Sequence, residues 1–212
     1  MDTPRYGFVE EIANFVTHGI GLVLSVAGLT LLVTFSALSG DPWRIVSFSI
    51  YGGTLVVLYV ASTLYHGVPY AAAKRVLRRV DHASIFLLIA GTYTPFVLVV
   101  LRGGLGWTMF GIIWALAAFG VAVKIAFNTG RFEALTVVLY LGMGWMGVMA
   151  VKPMLATLPG SGLALVVAGG LAYTVGVIFY AGRCIPFNHA IWHLFVITGS
   201  VCHFLAIILF VL

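Results

Sequence analysis

Seven apolar runs follow one another through this chain with only short connections, each close to the roughly 20 residues an α-helix needs to cross a hydrocarbon core. Their limits read as 12–37, 45–67, 83–101, 107–127, 134–151, 162–181 and 190–212. The connections carry chain breakers: Ser39-Gly40-Asp41-Pro42, Pro69 with the basic run to Arg79, Gly103-Gly104, Asn128-Thr129-Gly130, Pro153 to Pro159, and Pro186-Phe187-Asn188. Because the runs are continuous rather than alternating, a β-barrel is excluded. The expected fold is all-α, one seven-transmembrane-helix bundle filling residues 1–212 as a single domain.

Composition closes off the soluble alternatives. Charged residues make up 8% of the chain, against about a quarter in ordinary soluble domains. The hydrophobic fraction is 62% and the mean hydropathy +1.12. A net charge of +5 would suggest nucleic acid in a soluble protein. Here its distribution reports orientation, and no nucleic-acid partner is expected. With the N-terminus inside, the inner side holds Arg5, Lys74, Arg75, Arg78, Arg79, Lys124, Arg131 and Arg183, and the outer side only Arg44, Arg102 and Lys152. The reading is a multi-pass protein of the plasma (inner) membrane, N-terminus cytoplasmic and C-terminus outside. Positive-inside bias accounts for Lys74–Arg79, with a patch for acidic lipid headgroups as the alternative. The first run is longer than a signal-peptide core and is expected to be a permanent span. Cys184 and Cys202 are separated by roughly 27 Å of helical rise and are expected to be free thiols.

Within the spans, Gly142, Gly144 and Gly147 read as small residues permitting close helix approach. Pro95 reads as a kink, and Trp43, Trp107 and Trp192 as interfacial aromatics. The ionisable residues are more informative, because each is costly at membrane depth. Glu11, Asn14 and His18 open span one, Ser62 and His66 close span two, Asp81 and His82 open span three, and His189 and His193 open span seven. All the histidines except His203 thus lie towards one side. His189 and His193 are i, i+4, about 40° apart around the helix, so both imidazoles can address one object. From spacing alone, that pair serves a metal, interfacial packing or interhelical hydrogen bonding. Three neutral imidazoles from two helices, with a fourth position for water, is the pattern of a catalytic zinc site, and His66, His189 and His193 are the candidate metal ligands.

Asp81 is the acid nearest that group, suited to orient a ligand or a bound water, with His82 the alternative neighbour. Glu11, Asn14 and His18 read equally as a polar network locking span one into the bundle. Ser62 has the alternative of bonding its own helix carbonyl. His203, about 15 Å beyond His193 by helical rise, reads as a hydrogen-bonded core residue.

At these residues the sequence resembles the progestin and adipoQ receptor family, and within it the bacterial hemolysin III branch. The matching pieces are Glu11-x-x-Asn14-x-x-x-His18, Ser62-x-x-x-His66, Asp81-x-x-Ser84-Ile85 followed by Gly91-Thr92-Tyr93-Thr94-Pro95, and His189-x-x-x-His193 with His203 ten residues on. The resemblance implies seven helices and a zinc ion held by His66, His189 and His193, with Asp81 close to the bound water and Ser62 nearby. It also implies membrane lipids as substrate or ligand, since family members and the similar alkaline ceramidases look like lipid amide hydrolases. The chain has almost none of the receptor members' N-terminal segment, so a hormone-receptor role is not expected.

Three functions follow as expectations. The first is a zinc-dependent hydrolase of an acyl amide or ester, linked to membrane lipid homeostasis, with Asp81 positioning or deprotonating the water and Ser62 donating to the oxyanion. The second is a non-enzymatic lipid sensor or receptor with a structural zinc. The third is a hemolysin-type pore.

Overall fold

The computed structural model describes residues 7–127, 132–182 and 185–212. Arg5, Arg131, Arg183, Cys184 and the Asn128-Thr129-Gly130 turn of the sequence reading lie outside the described residues. The described chain is helical and contains seven helices long and apolar enough to cross a membrane. The helices are α1 (Phe8–Ser39), α2 (Pro42–Gly67), α3 (Ala71–Pro95), α4 (Gly104–Ala126), α5 (Glu133–Gly144), α6 (Val151–Thr157), α7 (Gly160–Ala181) and α8 (Asn188–Phe210). A 3₁₀ segment, Trp145–Ala150, joins α5 to α6 so that the two make one crossing. The protein is a multi-pass integral membrane protein.

Local chemistry sets the helix limits. Gly40 ends α1 in the left-handed region, with φ at 68°, and its N–H closes onto the Ala37 carbonyl. Asp41 then caps α2 by accepting from the Trp43 N–H at 2.9 Å, and Pro42 occupies the first turn, where no donor is needed. The α3 helix begins at Ala71, so the basic stretch through Arg79 is helical rather than a connection. At its other end, Pro95 cannot donate, and the chain continues as a π turn over Phe96–Val100.

The bundle is inside out relative to a soluble one. Along α1 the buried positions are Asn14, His18, Gly21, Ser25, Gly28, Leu32 and Ser36, whereas Val16, Ile20, Val23 and Leu24 face outward. Lipid tails are as apolar as leucine, so small and polar residues belong at helix contacts and apolar ones outside. Gly21 is one such contact, because the Tyr59 ring of α2 occupies the place a Cβ would take. Gly176 of α7 is another: a Cβ there would stand 2.7 Å from the Trp192 ring. Trp192 is therefore buried, 8% exposed, against α7. Trp43 and Trp107 do meet at the end of the bundle opposite Glu11, ring centroids 5.8 Å apart, with Arg102 over Trp43 at 4.4 Å.

The Gly142 and Gly144 reading is corrected: nothing lies within 4 Å of a Cβ built at either. This glycine stretch instead precedes the change from α-helix to 3₁₀ at Trp145. The freed backbone groups are taken up by one side chain, since the Tyr93 hydroxyl donates to the Gly144 carbonyl at 2.6 Å and accepts from the Gly147 N–H at 2.7 Å.

Candidate metal centre

The end of α2 and the start of α8 meet beside the start of α1. His66, His189 and His193 are 4%, 6% and 1% exposed, and one ligand atom from each lies within 4.8 Å of the others. Ring centroids stand 4.5 Å apart for His189 and His193, 5.1 Å for His66 and His189, and 5.2 Å for His66 and His193.

Two of the rings are oriented from behind. Nδ1 of His66 is 2.7 Å from Glu11 Oε2, and the other oxygen of Glu11 meets Lys74 Nζ at 2.9 Å. An acceptor on Nδ1 puts the proton there and leaves Nε2 with a lone pair, the state in which imidazole binds metal. Nδ1 of His193 lies 3.0 Å from the Thr17 hydroxyl. The one hydrogen of Thr17 is engaged by the Ala13 and Asn14 carbonyls at 2.8 and 3.0 Å. Thr17 then accepts from Nδ1, which again assigns the lone pair to Nε2. His18 lies flat on His193, centroids 3.4 Å apart and planes 12° apart, and meets Tyr59 edge-on at 5.1 Å.

The start of α8 is held in register by its flanks. Phe187 adopts φ 58°, a left-handed conformation costly for a bulky residue, and its N–H donates to Glu10 Oε1 at 3.1 Å. The Asn188 amide donates to the Phe179 carbonyl at 2.9 Å and to that of Gly182. Glu10 and Asn188 thus fix where His189 emerges.

A cavity of about 220 Å³ adjoins the histidines, lined there by His18, Ser62, Asp81, His189 and His193 and elsewhere mainly by apolar side chains. Ser62 is fully buried and its hydroxyl has no hydrogen-bond partner among the described residues, so the back-bonded alternative is not what the fold adopts. Asp81 stands outside the three-histidine donor set, its Oδ2 3.4 Å from His82 Nδ1. His82 Nδ1 donates to the Arg78 carbonyl at 2.8 Å, and the His82 carbonyl accepts from Tyr140 of α5 at 2.6 Å. His82 thereby anchors α3. Of the polar group on span one, only Glu11 forms the expected network. The Asn14 amide and both His18 nitrogens lack hydrogen-bond partners among the described residues. His203 bonds the Val166 carbonyl through Nε2 at 3.1 Å, as a core histidine would.

Thr17, Lys74 and Glu10 were not singled out as site residues by their sequence context. For Lys74 and Glu10 a faint signal exists, a base and an acid next to a polar cluster; for Thr17 there is none.

This donor set suits a metal ion. Three buried imidazoles, two with Nδ1 engaged, offer nitrogen ligands beside the cavity, and three ligands leave one position for a small molecule.

Fold and site together define a seven-span membrane protein with a buried three-histidine centre at one end. A family model described as Haemolysin-III related matches residues 6–204, and the chain belongs to that family. It is 48% identical over 201 residues to the Hemolysin-3 homolog of Bacillus subtilis (strain 168), covering 95% of this chain and 94% of that one. It is 45% identical over 203 residues to Hemolysin-3 of Bacillus cereus, with 96% and 92% covered. The human Monocyte to macrophage differentiation factor is 34% identical over 206 residues, with 93% and 83% covered. That human relative joins the chain to the wider progestin and adipoQ receptor group.

Proposed function

We propose that the protein is an intramembrane zinc-dependent hydrolase of acyl lipid amides or esters. The observation that carries this reading is a cluster of three buried histidines, two of which line one largely apolar cavity together with a buried carboxylate and a serine hydroxyl that has no hydrogen-bond partner among the described residues. His66, His189 and His193 would hold the ion, with Glu11 and Thr17 fixing two of the rings. When bound, zinc supplies Lewis acidity and brings a water's pKa to about 7. Asp81, outside the donor set, takes up the proton of the attacking water and returns it to the amine or alcohol that departs as the acyl C–N or C–O bond breaks. Ser62, with no internal acceptor, donates to the oxygen that gains charge as the carbonyl is attacked. The apolar wall takes the acyl chain and excludes bulk water. Positive-inside bias puts this end at the cytoplasmic headgroups, the depth of a lipid carbonyl.

The test is turnover of ceramides and acyl esters by the zinc-loaded protein beside Asp81→Asn. The expected result is product from the wild type and none from a variant that keeps its metal. No product from any acyl lipid would overturn the hydrolase reading. The competing reading is a lipid sensor in which zinc joins α2 to α8, and it is favoured by the fact that the three ligands come from those two helices alone. It predicts that metal removal lowers the melting temperature while no chemical product is lost. The Bacillus cereus relative's name suggests a pore, which predicts ion leak in pure liposomes.

A further inference from the structure

The cavity has a second polar station, far from the histidine triad. His203 follows His193 by ten residues on α8, about 15 Å of helical rise, and its ring forms part of the same cavity wall. The residue is 7% exposed. Its Nε2 lies 3.1 Å from the Val166 carbonyl, and a carbonyl only accepts, so Nε2 carries the proton and Nδ1 the lone pair. That lone pair has no hydrogen-bond partner among the described residues.

The neighbouring hydroxyls are engaged elsewhere. Tyr59 donates to Ser200 Oγ at 3.0 Å, Tyr173 shares the same oxygen at 2.9 Å, and Tyr51 donates to the Ser200 carbonyl at 3.2 Å. The ring itself is seated: a Cβ at Gly169 would stand 2.7 Å from Nε2, and the Tyr173 ring lies 5.6 Å away on α7. Around it the cavity is walled by Leu163, Val166, Val167 and Val196. A buried acceptor without a donor among the described residues, on a ring that lines an apolar cavity, selects for a ligand that brings a donor.

Resting on the acyl-lipid reading above, we propose that His203 recognises a hydroxyl carried partway along the acyl chain. The preferred ligand class is then a mid-chain hydroxylated acyl lipid rather than a plain one. With its carboxyl or amide at the triad and roughly 1.3 Å per methylene, an extended chain reaches the level of His203 near its twelfth carbon.

The experiment is a competition assay on the purified full-length chain in nanodiscs, in which octadecanoate, 12-hydroxyoctadecanoate and 2-hydroxyoctadecanoate displace a fluorescent acyl probe. The expected result is that the 12-hydroxy acid binds about fivefold to tenfold more tightly than octadecanoate, the gain of one hydrogen bond, while the 2-hydroxy isomer shows no such gain. His203→Phe, which keeps an aromatic ring on the Gly169 seat, is expected to lose the preference for the 12-hydroxy acid over octadecanoate. Equal binding of the three acids by the wild type overturns the inference and leaves the acyl-site reading standing, as does a preference that survives in His203→Phe. Binding of none of them overturns both. The positional isomers decide the matter on the wild-type protein even if the variant fails to accumulate.

Discussion

Two walls of the cavity are built on opposite plans. One, formed by α1, α2, α3 and α8, carries every polar residue of the candidate centre, and its helices cross the site uninterrupted. The facing wall, α5 with its 3₁₀ continuation and α6, carries none of the ligand candidates, and its helix is broken over Trp145–Ala150, whereas α3 passes Asp81 and His82 as regular helix and changes to a π turn only after Pro95. The first is cross-tied between helices by side chains: Glu11 to His66 and Lys74, Thr17 to His193, Glu10 to Phe187. The second is tied mainly through the Tyr93 hydroxyl, the Tyr140 hydroxyl and a Trp145 to Thr174 contact of 3.1 Å. Donor geometry at a metal tolerates little displacement, so it sits where several helices restrain each ring, and the opposite wall is left to shape the chamber.

This contrast can be broken or sharpened by substitution. The largest effect is expected from replacing His189 and His193 together by alanine: zinc measured by elemental analysis should fall from about one ion per chain to none. A wild type without metal, purified free of chelator, would remove the metal reading altogether. Next comes Asp81→Asn, which should retain zinc while lipid turnover drops by about a hundredfold or more, as loss of a positioned base requires. Glu11→Gln should weaken zinc affinity by roughly 10-fold to 100-fold, the usual consequence of losing the acceptor behind a ligating histidine, and Thr17→Val should fall at or below the lower end of that range. A titration against a competing chelator measures both, and unchanged affinity would mean that the rings are oriented by packing alone. On the opposite wall, Tyr93→Phe removes two hydrogen bonds to the helix break and should cost about 1–3 kcal/mol, read as a lower melting temperature at unaltered zinc content. Zinc loss there would show the two walls to be coupled. Smallest of all, Gly142→Ala should leave the zinc content unchanged and raise stability by at most about 1 kcal/mol, because no atom stands near the added methyl group and alanine loses less backbone entropy in the helix.

The sequence made the seven crossings and the triad legible for one physical reason: hydropathy marks membrane depth, and a histidine at known depth can be matched with others at the same depth. It could not reveal what lies around an axis or across a gap. Thr17 sits one residue before His18, the last member of the polar stripe of α1, yet only the crossing of α1 and α8 brings it to His193. Trp192 near a span end reads as an interfacial aromatic until Gly176 is found opposite, giving it a seat inside. The basic stretch at the start of α3 reads as a loop because charge ends an apolar run, but a helix does not stop where the hydrocarbon does. Lys74, placed one turn into that helix, consequently faces Glu11 and Tyr65 rather than solvent alone.

The ligand set also imposes an order on biogenesis. One donor arrives with the second crossing and the other two with the seventh, so four further crossings, the third to the sixth, are synthesised between the first donor and the other two. The Glu10 contact that fixes the start of α8 comes from α1, so the site ties the first crossing to the seventh. A chain cut short before α8 keeps a single histidine of the three, so on the metal reading proposed above the ion would be held only once the seventh crossing is in place.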